Sequence, residues 1–195
     1  PGIIDIHSHM GVYAAPRVTT SSDGNESTSP VTADVWAEHS MWVQDPQYAL
    51  ALRGGVTAFH VLPGSANLIG GRGVTVKNLQ RNTINSMKFP NAPHSLKMAC
   101  GENPKRVYGN RKQAPSTRMG NAAGYRKSWI KAESYLRRQT EYEEKSDEAK
   151  ELEYAPERDL EMDTLAGVLK GEILVHNHCY RADEMATMID IAKEF

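Results

Sequence analysis

Two short apolar runs in this chain end in the same way. Ile3-Ile4-Asp5-Ile6 leads into His7-Ser8-His9, and Ile173-Leu174-Val175 leads into His176-Asn177-His178. An apolar, β-branched run that turns polar at its end reads as a buried parallel strand opening into a site. Residues two apart on a strand share a face, so each run projects a pair of imidazoles at its C-terminal end. In a parallel barrel all strand ends of this kind lie on one face, and that face carries the active site.

The stretches between fit the same scheme. Residues 17–30 form a polar, turn-rich loop, and 46–53 a short helix with Pro46 at its first turn and Gly54-Gly55 as its stop. Val56–Leu62 is predicted as a strand, Gly70-Gly71-Arg72-Gly73 as a flexible loop, Val74–Lys77 as a short extended piece and Ser95–Cys100 as a further strand. Residues 117–170 are mainly helical: 117–150 has an imperfect apolar face, 141–153 is highly charged, and 157–169 is a helix stopped by Gly171. Residues 182–195 are a clear amphipathic helix, with Met185, Met188, Ile189, Ala192 and Phe195 on one side. Alternating strands and helices predict parallel βαβ units in one domain, 1–195.

Composition removes several classes. The 195 residues carry 23 Lys+Arg against 24 Asp+Glu, a formal charge of −1, which leaves no basic footprint for nucleic acid. No apolar run approaches the ~18 residues of a membrane span. Two cysteines, Cys100 and Cys179, can pair or stay free, so the compartment is not fixed. Gly70–Gly73 matches neither the P-loop nor the dinucleotide spacing.

The chemistry is therefore expected at the strand ends. Neutral imidazoles at His7, His9 and His176 suit a divalent metal, zinc first among them, as one or two ions. His178 is a ligand, a substrate contact or a proton shuttle. Asp5 would orient a ligand histidine from behind. Glu102, in the Gly101-Glu102-Asn103-Pro104-Lys105 turn, can complete a histidine site or bridge two metals. Lys97 lies inside a strand, where a bare ammonium is costly to bury. It points to the mouth or carries CO2 as a metal-ligating carbamate. Asn67, Arg72 and Lys105 are candidate substrate contacts on loops at the same mouth. The two cations among them would suit a carboxylate.

Pro1-Gly2-Ile3-Ile4-Asp5-Ile6-His7-Ser8-His9 resembles the P-G-x-x-D-x-H-x-H signature of the amidohydrolase superfamily. Leu62–Gly73, Lys97–Lys105 and Val175–Glu184 resemble its imidazolonepropionase-related branch. The resemblance implies an α/β fold, a partial (β/α)8 TIM-type barrel of roughly the first five strands with a long helical insertion. It implies His7 and His9 as first-strand ligands, Glu102 or Lys97 as the middle-strand ligand, and His176 as the fifth-strand ligand. The family's sixth-strand His and eighth-strand Asp, the usual general base, have no counterpart here. Nor do the sandwich strands that precede Pro1 in the family. The expectation is a chain truncated at both ends.

The function this implies is hydrolysis of amide or other C–N bonds, in a small-molecule or peptide-like substrate, by a metal-activated water. The competing reading is a catalytically incomplete fragment that only binds metal or acts as a scaffold. Five barrel strands leave an open edge, so a homo-oligomer or some other packing of that edge is expected.

Overall fold

The structure, a computed structural model, describes residues 2–195. Five strands, β1 (Ile3–Ser8), β2 (Val56–Val61), β3 (Ile69–Lys77), β4 (His94–Ala99) and β5 (Ile173–His178), form one sheet in sequence order. The helices are α1 (Gln47–Arg53), α2 (Glu102–Gly109), α3 (Arg118–Glu143), α4 (Asp147–Glu151), α5 (Leu160–Leu169) and α6 (Ala182–Glu194).

The fold is mixed α/β, but its sheet is not all parallel. β1 pairs with β2 and β4 with β5 in parallel, whereas β3 runs antiparallel to both its neighbours. The expected flexible loop at Gly70–Gly73 is in fact the first half of β3. These glycines serve close packing rather than mobility. A methyl group on Gly73 would lie 2.5 Å from Ser95 Oγ and 2.7 Å from Leu62, and Gly71 has φ +118°, where only glycine is at ease. The Gly101–Lys105 turn is likewise the start of α2, which composition did not announce.

Strand parity divides the sheet into two chemistries. Leu96, Met98 and Ile173 point toward the helices and join Ile69 in a core closed by Tyr125, Trp129, Ala132 and Leu165. Phe59, Val61, Val74 and Val76 continue that face under Tyr48 of α1. The spacing of Tyr125, Trp129, Ala132 and Tyr135 is a helical stripe, so α3 buries one side over the sheet. Thr117 begins α3 by accepting the Gly120 N–H, and Asp159 begins α5 by accepting from Glu161 and Met162. The other face carries His60, Thr75, Ser95, Lys97 and His176. Register pairs His60 with Thr75, Gly73 with Ser95, Gly71 with Lys97 and Lys97 with His176.

A register shift brings β1 into this arrangement. Asp5 pairs with Phe59, but Ser8 pairs with Val61, so β1 spends three residues where β2 spends two. Without that bulge His7 would lie beside Val61, on the helix side. The extra residue turns it to the polar face.

Candidate active site

The strand ends gather His7, His9, Lys97, His176 and His178 around the polar face. Lys97 is the centre of the group. It is 1% exposed, its Nζ lies 3.3 Å from His7 Nε2, and it is the register partner of His176. Burial brings its ammonium down to about 8, so roughly a tenth of it is neutral amine at pH 7, far more than for an ordinary lysine. All four imidazoles are held below the ordinary value. Burial is the largest cause in each, and the Lys97 charge comes next for His7, His176 and His178. For His9 the Leu62 carbonyl opposes the effect of burial, and Lys97 adds to it.

Hydrogen bonds fix which ring nitrogens are free. The Leu62 carbonyl only accepts, so His9 donates Nδ1–H to it at 2.8 Å and keeps a lone pair on Nε2. The ammonium of Lys97 only donates, so His7 Nε2 accepts from it. Likewise the Asn103 amide nitrogen, 3.3 Å away, donates to His178 Nε2. Gly11 N–H donates to the buried Asp45 at 3.0 Å, which ties down the chain just past His9. Cys100 and Cys179 are disulfide-bonded immediately beyond β4 and β5, with Cα atoms 5.1 Å apart, and clamp the two strand ends together.

In kind, neutral imidazoles with a depressed lysine fit a divalent cation. In placement the fit is incomplete: among the described residues no three His, Cys, Asp or Glu side chains gather closely enough to hold one ion. Lys97 stands within the group, beside His7 and His176.

The remaining candidates are placed elsewhere. Glu102 is exposed at the first position of α2. Asp5 accepts the backbone N–H of His7 at 3.0 Å instead of a ring nitrogen, because the bulge breaks its parity with the pair. Asn67 is buried and clamps the 17–30 loop, donating to the carbonyls of Glu26 and Ser29 and accepting from Asn25. Arg72 pairs in register with Leu96 and so faces the helices. There its Nε donates to Thr164 at 2.9 Å and its guanidinium stacks 4.3 Å from the Trp36 ring. Lys105 is half-buried on α2.

Sequence reasoning missed His60, the fifth histidine on this face. Its ring lies 4.7 Å from that of His176, nearly parallel, and its nitrogens meet Thr75 Oγ1 at 2.8 Å and Ser95 Oγ at 2.6 Å. With both nitrogens engaged and its imidazole pushed down to about 4 by burial and by His176, it supports the His176 ring. The available signal was a histidine inside the apolar run Val56–Val61. Asn103 and Tyr180, around His178, were also missed; the Tyr180 ring meets His178 edge-on at 4.5 Å.

No family model matches the chain. A crystal structure of an amidohydrolase from Thermotoga maritima MSB8 is 42% identical and superposes with a TM-score of 0.89, over 100% of this chain and 49% of that one. Amidohydrolase tasK of Hapsidospora irregularis is 35% identical over 209 residues, covering 100% of this chain and 21% of the relative. The chain thus spans about half of one relative and about a fifth of the other. The five-stranded sheet matches a partial barrel. These two proteins support an amidohydrolase family for the chain.

Proposed function

We propose that this chain supplies the ligand side of a metal-dependent hydrolase acting on amide or other C–N bonds. The observation that carries the reading is Lys97, a buried amine of depressed basicity surrounded by neutral imidazoles. The amidohydrolase name of both relatives agrees with it. His7, His9, His176 and Lys97 would hold a divalent cation, with zinc the first choice and one or two ions the expected count. Lys97 would do so as the neutral amine or as a carbamate, the amine adding CO2 and releasing a proton. We favour it over Glu102 because Glu102 is exposed. When bound, the cation supplies a water acidic enough to attack at neutral pH and polarises the scissile carbonyl. His178, held at Nε2 by Asn103, would move a proton between water and the leaving nitrogen. His60 and the Leu62 carbonyl orient His176 and His9.

The same reading makes the sheet part of a (β/α)8 barrel of the imidazolonepropionase-related branch. Ile4, Ile6 and Leu174 on the outer strands are exposed, which supports a covering by further barrel strands or by a second copy. Light scattering that finds a well-folded monomer would count against the second copy.

Metal analysis together with a hydrolysis screen on small amides and dipeptides tests the proposal. Bound divalent metal with turnover, both lost in Lys97→Met, is the expected result. Metal without turnover favours the metal-binding or scaffold reading. Neither metal nor turnover overturns the ligand set.

A further inference from the structure

A cavity of about 270 Å³ opens from His9 toward α2. Tyr13, Asn25, Gly64, Ser65, Asn103 and Arg106 line it. Its volume falls just below the ~300 Å³ at which drug-sized ligands begin to fit, so it takes a small molecule. Its walls hold one guanidinium and one imidazole and no carboxylate.

The polar groups differ in how far they are already committed. Tyr13 donates to Asn25 Oδ1 at 2.6 Å, and Asn25 donates on to Asn67 at 3.0 Å. Asn103 donates to Ser65 at 2.9 Å. Gly64 has no side chain where Asn25 and Tyr13 converge, and a methyl group there would collide with both. Arg106 is the exception. Among the described residues its only side-chain hydrogen bond is a long one, 3.4 Å from Nη2 to Asn103 Oδ1, and it has no acidic partner. A guanidinium has five N–H donors in a rigid fork, so most of this one's are uncommitted. Arg106 itself is exposed, but the helix that carries it is anchored: Tyr108, two residues further along α2, is buried and donates to the Ser29 carbonyl at 2.6 Å.

We propose that this cavity is an acid-recognition arm of the site. It takes a small substrate bearing a carboxylate, which Arg106 grips through its fork while the reacting carbonyl lies at the His9 end. Paired N–H···O bonds from arginine to a carboxylate are stronger than neutral ones and fix orientation. Arg106 is therefore a specificity-determining residue, and the inference rests on the histidine group being the reacting centre. It also moves the acid-binding role from Arg72 and Lys105 to the neighbouring residue on α2.

The test uses two probes of nearly equal size, N-acetylglycine and N-acetylglycinamide, which differ in the carboxylate. Binding to the full chain is measured by calorimetry and ligand-observed NMR. The anion is expected to bind about tenfold or more tightly than the amide, the scale of one charge-assisted pair. Arg106→Gln abolishes that preference. Arg106→Lys restores it only in part, because a point charge lacks the fork. Lys105→Gln, outside the cavity, keeps the preference. Equal binding of the two probes, no binding of the anion, or a preference that survives Arg106→Gln overturns the inference. Because the readout needs no turnover, the two failures separate. A charge preference without hydrolysis sinks the hydrolase reading and spares the acid arm; hydrolysis without the preference does the reverse.

Discussion

Ser95, Leu96, Lys97 and Met98 are consecutive on β4, and all four are buried. Their environments have nothing else in common. Leu96 and Met98 lie among aliphatic and aromatic side chains under α3 and α5, while Ser95 and Lys97 lie among imidazoles. Burial of the first pair removes apolar surface from water and stabilises the fold. Burial of Lys97 removes an ammonium from water and works against it. One strand thus carries, on alternate residues, what holds the molecule together and a charge whose burial works against it.

The sharpest way to break this contrast is Lys97→Met, which keeps the length and removes the charge. Turnover should fall about 1000-fold or more, about 4 kcal/mol of barrier, while the unfolding free energy stays level or rises by about 1–3 kcal/mol. A parallel loss of stability and activity would mean that Lys97 is a core residue with an accidental position. Its neighbour Leu96→Ala should behave oppositely, losing about 2–5 kcal/mol in urea unfolding through cavity formation. Turnover per folded molecule should stay near that of the parent.

Titration of the chelator-treated chain gives a further contrast. Lys97 is at about 8 when folded and returns to 10.5 when unfolded. Between those values the unfolded chain binds a proton that the folded chain does not, so unfolding free energy should rise with pH. The rise is read as the difference between the parent and Lys97→Met, since Tyr48 and Tyr125, whose hydroxyls burial holds above their ordinary value, act in the opposite sense at the alkaline end. On the acid side, His60 goes from 6.5 unfolded to about 4 folded, so stability should fall as pH drops through that window. A flat difference curve above pH 8 would remove the case for a strained amine. The smallest effect is expected on the helix side: Arg72→Ala should cost about 1–2 kcal/mol of stability, from one hydrogen bond and one ring stack. It should leave probe binding and turnover unaltered.

The histidine pairs were legible because strand periodicity is short-range: an apolar run ending in His-x-His needs no tertiary information. Lys97 was legible as an anomaly, a charge within a strand. Three things were not. The direction of β3 depends on which strands flank it, and Gly70–Gly73 looked like punctuation because close backbone approach leaves no trace in one sequence. The bulge at Asp5–Ser8 changes which residues share a face, and parity counting cannot detect its own interruption. Asn67, Arg72 and Lys105 were interchangeable as loop polar residues, and Arg106 was not singled out. Only the register with Leu96, the clamp on the 17–30 loop and the turn of α2 tell them apart.

The bond between Cys100 and Cys179 joins positions 79 apart in sequence. Everything from α2 through β5 therefore lies on a closed covalent ring, and the exposed stretch around Leu152 and Tyr154 is part of it. A protease cutting there would linearise the ring without releasing a fragment. The nicked protein should migrate as one band on a non-reducing gel and as two after reduction. The cut would leave His176 and His178 tethered to the end of β4, so the polypeptide can lose its continuity while the strand ends that hold the site keep theirs.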